Sequence, residues 1–438
     1  MDNDKPLDVA DTAQTDCVDR IGMARLAKLA FDGGDLRPMW AEVSASLLSG
    51  TADAGEGLDL SLIGQLLGHK QAGLSIQHEV LAAHRLFRLP CLSTSPRMRV
   101  LALAAATDMG SNTPIEFLLE ESDIELMMLY VISDAELPVP LPDHDIAIVI
   151  ASDSDDCRDA LRKIAAAAPR WPRPLLNSPK AICNLDRDKL HRLLAGIDGL
   201  VIPATIGASR EQLSQAMQPA EAPSAEAPSA EALATEALAT EALSEIASNL
   251  AFPVIVRPRG SHAGVGLAKI DDVSAMWRYL EESEAKEFFV SRFVDYSGED
   301  GLFRKYRVVF VDGRPYACHM AVAGRWDIWY LNAGMSGDAG KRLEEATFMS
   351  TFDIAFARRH QTALAAMAAR VGLDYFIVDC AETKDGSLLI FEADNTAVVH
   401  NMDLPDIFPY KPPQMRKIFD AFVAMLERRV RQARERAA

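Results

Sequence analysis

The sequence lacks the features that mark several classes of protein. Its six cysteines form no C-x-x-C pair and are widely spaced, which disfavours a disulfide framework and a zinc site. The longest apolar runs, Val100–Ala106 and Ile146–Ala151, are far shorter than the ~20 residues of a membrane-spanning helix. The first residues do not have the basic-then-apolar order of a signal peptide. We therefore expect a cytoplasmic protein that does not contact a membrane.

Basic residues are also scarce relative to acidic ones. The chain of 438 residues has 63 acidic and 45 basic side chains, which gives a net charge of −18. Such a surface repels phosphate backbones, so we expect no nucleic-acid partner. The apolar share of 49% is typical of globular proteins, and the length allows two or three domains.

The first half of the chain changes from a helical to an α/β pattern. Apolar residues recur at helical spacing over 21–88, which predicts three or four helices. The runs Arg99–Ala105, Ile124–Val131 and Asp145–Ala151 then alternate with helical segments, and this order predicts a Rossmann-like parallel sheet. No G-x-G-x-x-G follows the first of these strands, so a dinucleotide site is not supported.

Shorter signals follow the predicted strands. Thr113 and Glu116 stand at capping-box spacing and predict the start of a helix. Asp186–Leu194 is predicted as a short helix and Gly199–Pro203 as a strand. A five-residue repeat rich in Ala and Glu occupies 220–244. Because five does not match the helical period of 3.6, the repeat predicts a solvated helix or a semi-flexible acidic linker.

A glycine-rich turn stands between two strand-like segments, Phe252–Arg259 and Leu267–Ile270. Such a turn lets backbone N–H groups approach phosphate oxygens without side-chain interference. A cation on the first strand then holds the phosphates, and Arg257 and Arg259 are available. The residues of the turn that we expect to contact phosphate are Gly260, Ser261, His262, Gly264 and Gly266.

Three carboxylates mark a second hairpin. Asp374–Asp379 is a strand that ends in a carboxylate, and 388–395 is the returning strand. Side chains two residues apart share a face of a strand, so we expect Asp379, Glu392 and Asp394 on one face. Three oxygen ligands there predict a Mg²⁺ site. The alternative, a solvated edge hairpin, fits poorly with the apolar residues around them.

A glycine-rich hairpin that is followed, later in the chain, by Asp379, Glu392 and Asp394 resembles the motif order of an ATP-grasp enzyme. The resemblance is strong over about 250–433 and weaker over 99–204. It implies an α/β and α+β multidomain protein. The expected parts are a helical N-terminal region (1–95), a Rossmann-like pre-ATP-grasp domain (96–206), an acidic Ala/Glu/Pro repeat linker (207–249) and a C-terminal ATP-grasp domain (250–438).

The resemblance also implies an activity, that of an ATP-dependent carboxylate–amine ligase similar to ribosomal-protein and peptide glutamate ligases. Such enzymes form an amide through an acyl phosphate and release ADP and phosphate. The implied cofactors are ATP and Mg²⁺, with Mn²⁺ as an alternative. The implied substrates are small-molecule or peptide carboxylates and amines, and residues 1–95 are a candidate surface for a protein partner. An ATP-grasp-type kinase and a non-catalytic nucleotide-binding scaffold remain open as alternatives.

The resemblance assigns roles to particular residues. Arg257, Arg259 and the glycine-rich turn would hold the triphosphate, and the three carboxylates would hold the metal. Arg307 would stabilise the transferring phosphoryl group, with Arg304 as a second catalytic cation. The adenine hinge would contribute Arg292, Phe293 and, for the ribose, Asp295.

Three departures from the family pattern bear on these roles. Arg257 stands in place of the usual lysine, and Asp394 in place of the usual asparagine. The Ser-Pro-Gly that often follows is replaced by Thr396–Asn401. Because that stretch commonly approaches the acceptor, the substrate cannot be carried over from the family.

Several candidates keep two interpretations. The aromatic-rich segment Trp326–Tyr330 lines an acceptor pocket or packs in the core. His400 and Asp403 act as a base or are structural. Amphipathic patterns also predict long helices over 341–370 and 413–436.

Overall fold

The computed structural model describes residues 17–218, 251–261 and 264–437. Within these ranges the strands form three sheets, of six, four and five strands. His262 and the 220–244 repeat lie outside the described residues. No helix in the described ranges is long and apolar enough to cross a membrane.

Four helices near the start of the described chain confirm the predicted helical region. They are flanked by two short strands, β1 (Val18–Asp19) and β2 (Leu86–Arg88), which join the six-stranded sheet. The helical region and the α/β region therefore share one sheet, a link that the sequence pattern did not reveal. The helices are α1 (Met23–Phe31), α2 (Arg37–Leu48), α3 (Ala54–Leu66) and α4 (Lys70–Ala83).

The predicted Rossmann-like sheet is present. β3 (Met98–Ala105) pairs in parallel with β4 (Ile124–Val131) and β5 (Ile146–Val149), and β5 pairs in parallel with β6 (Leu175–Leu176). β3 and β4 are buried over nearly their whole lengths, as expected for a sheet covered on both faces. The strand order is β1-β2-β4-β3-β5-β6, with β2 antiparallel to β4. Its helices are α5 (Ile115–Leu118), α6 (Arg158–Ala167), α7 (Pro179–Ile182) and α8 (Arg187–Leu194).

The capping box predicted at Thr113 and Glu116 was wrong. α5 is only four residues long and has no side-chain cap. The Thr113 hydroxyl instead donates to the carbonyl oxygen of Asn395 at 2.7 Å, and a carboxylate oxygen of Glu116 accepts from the backbone N–H of Ala24 at 2.8 Å. Both side chains are used for contacts between distant segments, which local spacing does not report.

The four-stranded sheet contains β8 (Thr205–Ser209), β9 (Val254–Pro258), β10 (Ala268–Ile270) and β11 (Glu287–Arg292), in the order β10-β9-β11-β8. It packs against α9 (Arg210–Ala216) and α10 (Val273–Glu282) and has its own small apolar core. The predicted linker 207–249 thus begins too early, since its first ten residues are strand and helix. The reason is that β8 pairs with β11, about 80 residues further along the chain.

The five-stranded sheet has the order β13-β12-β14-β15-β7. Its strands are β7 (Leu200–Val201), β12 (Phe303–Val311), β13 (Arg314–Ala323), β14 (Tyr375–Glu382) and β15 (Leu388–Asp394). Its buried side chains are continuous with those of the six-stranded sheet.

The helices on the five-stranded sheet differ in part from the prediction. The long helix predicted over 341–370 is three helices, α11 (Ala339–Thr351), α12 (Phe356–Arg359) and α13 (Gln361–Val371). The breaks let Phe348, Phe352 and Phe356 pack against one another at centroid distances of 5.4–5.6 Å. The predicted C-terminal helix is confirmed as α14 (Lys411–Ala437).

Candidate functional site

A cavity of about 170 Å³ lies between the four- and five-stranded sheets. Much of its lining is apolar or aromatic, and the rings of Phe293 and Trp326 meet edge to face at 5.9 Å. It is smaller than the ~300–1,000 Å³ typical of whole small-molecule sites, so it suits one planar ring better than an entire nucleotide. The charged lining residues include Arg187, Arg257, Lys305 and Glu392.

Beside this cavity, the strand register places the predicted carboxylates together. Asp379 on β14 stands opposite both Arg307 on β12 and Glu392 on β15. Asp394 lies two residues beyond Glu392 and therefore on the same face. The expectation that the three carboxylates share one face of the sheet is confirmed.

Asp379 is held by two cations. Its side chain is only 3% exposed, and Arg307 donates to both of its oxygens, at 2.8 and 3.1 Å. Lys305 lies 2.7 Å from the second oxygen. Although burial opposes the charge, Arg307 and Lys305 hold the pKa of Asp379 well below its usual range. The carboxylate is therefore ionised and its oxygens are occupied.

Glu392 is paired with Arg187, the first residue of α8. Arg187 also donates to the carbonyl oxygen of Phe391 at 3.1 Å. Burial opposes ionisation, but Arg187 holds the pKa of Glu392 below its usual value. Sequence reasoning missed Arg187, since only a contact across more than 200 residues brings it to β15.

Asp394 has a different environment. One of its oxygens accepts from the backbone N–H of Thr396 at 2.6 Å and from the Thr396 hydroxyl at 2.9 Å. Burial, with the nearby charge of Glu392, raises its pKa. A further acid that the sequence did not single out, Asp153, follows β5; burial and the charges of Asp394 and Asp186 raise its pKa to about 7. Two acids with raised pKa values, Asp153 and Asp394, therefore lie close together at this end of the site.

Two of the three carboxylates fit a hard cation. Glu392 and Asp394 each have one oxygen without a hydrogen-bond partner among the described residues, whereas both oxygens of Asp379 are occupied. The described ranges contain no group of three or more His, Cys, Asp or Glu side chains that could hold a metal ion. Mg²⁺ is commonly bound by one or two carboxylates together with substrate phosphates. Glu392 and Asp394 match that requirement, and Asp379 does not.

The glycine-rich hairpin covers one side of the cavity. Arg257 lines the cavity and donates to the hydroxyl and the carbonyl oxygen of Ser261. Burial, with the nearby charge of Arg187, lowers the pKa of Arg257 to about 10. Gly266 has a φ of +67°, and a Cβ there would approach the Pro258 ring to 2.7 Å, so the turn requires glycine. Gly260 and Gly264 also have positive φ.

The structure places two predicted cations outside the cavity lining. Arg259 stacks over Phe289 at 5.2 Å and pairs with Asp186. Arg304 lies on the opposite face of β12 from Arg307 and pairs with Asp300 at 2.7 Å. The cation of β12 that shares the face of Arg307 is Lys305, two residues away, which the sequence analysis did not select.

The predicted hinge residues are also divided. Arg292 and Phe293 line the cavity. Asp295 does not line the cavity, because it pairs with Lys384 at 2.6 Å. This ion pair, together with the hydrogen bond from the Ser297 backbone N–H, lowers the pKa of Asp295 to about 2. The acid that lines the cavity in this region is Asp327.

The remaining candidates are placed as follows. Trp326 lines the cavity between the sheets. His400 accepts from the backbone N–H of Met402 at 3.0 Å, with its ring about 6 Å from that of Phe31. Asp403 pairs with the buried Lys411 at 2.8 Å. His400 and Asp403 are thus both engaged by neighbouring protein groups.

Comparison with known proteins gives distant similarities only. No family model and no curated protein matches the chain. Among solved structures, it is similar to a RimK domain ATP-grasp protein from Sphaerobacter thermophilus, at 18% identity and a TM-score of 0.41, over 76% of this chain and 99% of that one. It is also similar to the VanG D-Ala:D-Ser ligase from Enterococcus faecalis, at 12% identity and a TM-score of 0.43, over 75% and 100%. A D-alanine–D-alanine ligase from Bacillus anthracis complexed with ATP matches at 12% identity and a TM-score of 0.40, over 76% and 99%.

Proposed function

We propose that the protein is an ATP-dependent carboxylate–amine ligase that binds ATP between the four- and five-stranded sheets. One observation carries the proposal: the row of Arg307, Asp379 and Glu392 lies beside a cavity lined by aromatic side chains and cations. Apolar walls suit a planar base, and cations with a glycine-rich turn suit phosphates. The substrates we infer are a small-molecule or peptide carboxylate and an amine.

The residues around the cavity have different proposed roles, according to the sheet on which they lie. The aromatic lining near Phe293 and Trp326 receives the base. Arg257 and the glycine-rich turn hold the phosphates from the four-stranded sheet, while Lys305 faces them from the other sheet. Because the four-stranded sheet has its own apolar core, it is suited to move as a lid over the nucleotide.

The chemistry requires positioning and charge neutralisation more than a protein nucleophile. An oxygen of the substrate carboxylate attacks the γ-phosphorus, the bond to the β-phosphate oxygen breaks, and ADP leaves. Arg307, oriented by both oxygens of Asp379, stabilises the charge on the transferring oxygens. Mg²⁺, held by Glu392 and Asp394, would supply further charge neutralisation on the phosphates. An amine then displaces phosphate from the acyl phosphate.

The test is a screen for ADP release in the presence of ATP, Mg²⁺ and mixtures of amino acids and dipeptides, with hydroxylamine as the trap. We expect ADP, phosphate and a hydroxamate to form together, since hydroxylamine intercepts an acyl phosphate. ADP with a stable phosphorylated product would identify a kinase instead. Binding of ATP without any turnover would identify a scaffold, and either result would overturn the ligase.

A pair of arginine variants links the activity to the cavity. Arg257→Ala removes a cation from the lining, and we expect kcat/KM for ATP to fall about 10- to 100-fold, the size of one charge-assisted hydrogen bond. Arg278→Ala removes an exposed arginine from α10 and is the matched control. Equal kinetics for the two variants would show that the phosphates bind elsewhere.

A further inference from the structure

His319 extends the row of site residues by one strand. The register pairs Arg307 on β12 with His319 on β13, so His319, Arg307, Asp379 and Glu392 follow one another across four strands. A register shift directly after Arg307 leaves Cys318 without a partner and sets His319 opposite the arginine. Such a bulge re-aims a side chain and is frequent beside active sites.

The row of His319, Arg307, Asp379 and Glu392 extends beyond the nucleotide cavity. The nucleotide cavity is lined by Lys305 and Glu392, and His319 is not part of its lining. Strands in a sheet are about 4.8 Å apart, so His319 lies on the order of 10 Å from Asp379, with Arg307 between them. If the phosphoryl group is transferred at Arg307, His319 lies next to it on the neighbouring strand, outside the cavity that we assign to the nucleotide.

Neighbouring side chains position the imidazole of His319, and one of its two ring nitrogens has no hydrogen-bond partner among the described residues. Its ring lies 4.7 Å from the ring of Tyr330, whose hydroxyl donates to the buried Glu345 at 3.0 Å. Nδ1 lies 3.9 Å from the Cys318 sulfur, and Nε2 has no hydrogen-bond partner among the described residues. The side chain is half-buried. His400 differs, since its Nδ1 already accepts a backbone N–H.

The surrounding charges keep His319 neutral. Burial, together with Arg307 and Lys411, holds its pKa well below the usual value, and the charge of Asp379 acts in the opposite direction. A neutral imidazole has one nitrogen able to accept a proton. The titratable and charged groups that face it from the packed elements are Cys318, Arg307, Lys305, Asp379, Tyr330 and Lys411.

We propose that His319 is the general base that accepts the proton of the attacking amine, a role that rests on the ligase function proposed above. The neutral amine nitrogen forms a bond to the carbonyl carbon of the acyl phosphate and gives one proton to Nε2. The carbon–oxygen bond to phosphate breaks, and its electron pair leaves with phosphate. The imidazolium, disfavoured beside Arg307 and Lys411, returns the proton to a phosphate oxygen.

The test separates the two half-reactions. It uses the full chain, ATP, Mg²⁺, the carboxylate found in the hydroxylamine screen and a mixture of standard amino acids as amine donors. Hydroxylamine is largely unprotonated at neutral pH and reacts with an acyl phosphate without a base. For His319→Asn we expect hydroxamate formation within about threefold of wild type and amide formation about 100- to 10,000-fold slower in kcat, the usual range for a lost general base.

Controls distinguish the possible failures. His78→Asn alters an exposed histidine on α4 and should leave both products unchanged. In His319→Ala, added imidazole should partly restore amide formation. Unchanged amide formation in His319→Asn, or an equal fall in both products, would overturn the role of His319 and leave the ligase standing. Absence of ADP and hydroxamate with the wild-type protein would overturn the ligase itself, and His319's role with it.

Discussion

Asp379 and Asp394 share a face of the sheet, but their surroundings shift the pKa values of the two carboxylates in opposite directions. Asp379 is paired with Arg307 and Lys305, whereas Asp394 has a pKa raised by burial and by Glu392. Asp379→Asn would leave two half-buried cations without their partner, and we expect it to destabilise the fold by about 3 kcal/mol. Asp394→Asn keeps an oxygen that accepts from Thr396, and we expect its free energy of unfolding to stay within about 0.5 kcal/mol of wild type.

Denaturant unfolding of the two purified variants at pH 7 measures this difference. The wild-type protein and Glu281→Gln, an exposed change on α10, are the references. Equal destabilisation by the two aspartate changes would contradict the ion-pair role assigned to Asp379.

For individual residues, the sequence predicts the types of side chain that form the site. It predicts less well which particular residue of each type lies there. Strand alternation predicted the shared face of Asp379, Glu392 and Asp394 correctly. The same rule favours Lys305 over Arg304 beside Arg307, because side chains two residues apart share a face of a strand. Arg187 carries no local signal, because its role depends on a contact with β15 that only the tertiary fold creates.

Among the elements, α12 is joined to β14 through one carboxylate. Glu382 accepts from Arg359 at 2.8 Å and lies 2.7 Å from His360 Nε2. Burial opposes its charge, but the contacts with His360 and Arg359 hold its pKa below the usual value. The stabilisation is thus present above the ordinary glutamate pKa of about 4.3 and is lost as pH falls through the lower folded value.

Glu382→Gln should therefore lower the free energy of unfolding at pH 7 by about 1–2 kcal/mol, the size of charged hydrogen bonds that are partly screened. Thermal unfolding of this variant and of wild type between pH 7 and pH 3 tests the claim. We expect the gap between their Tm values to narrow below about pH 4.3. A gap that stays constant, or that widens as pH falls, would contradict the assigned ionisation of Glu382.

Long apolar runs made the strands predictable. The prediction for Ile124–Val131 matches β4, and the two strands of the carboxylate hairpin were also anticipated. The two-residue strands β1 and β6 carry too few residues for any periodicity, whereas β7 lies within the strand predicted over Gly199–Pro203. The break between α11 and α12 was missed because its three phenylalanines continue a helical spacing while they pack in a different arrangement.

At the scale of the whole molecule, Asn177 joins the α/β region to the five-stranded sheet. It is fully buried with a φ of +55°, and its amide bonds both backbone groups of Tyr375, at 2.9 and 3.0 Å. A second link runs from Asn395, whose amide donates to the carbonyl oxygen of Ala151 at 3.0 Å. These contacts hold the hairpin of β14 and β15, which carries Asp379, Glu392 and Asp394, against the end of β5.

Asn177→Ala would remove both bonds and place at this left-handed φ a residue that tolerates it less well than asparagine does, and we expect it to cost about 3 kcal/mol of stability. Asn177→Gly removes the same bonds without the backbone penalty, so it should be about 1 kcal/mol less destabilising. Denaturant unfolding compares the two. If glycine is as harmful as alanine, the backbone conformation at this position is not part of the link.

The account as a whole depends on a nucleotide binding between the two sheets. Calorimetric titration of ATP into the purified protein, with and without Mg²⁺, tests this most directly. We predict saturable binding that Mg²⁺ strengthens, because Glu392 and Asp394 have free oxygens that can bind a cation only when phosphates complete its coordination. Absence of binding in both conditions would contradict the nucleotide site, and with it the ligase and the role of His319.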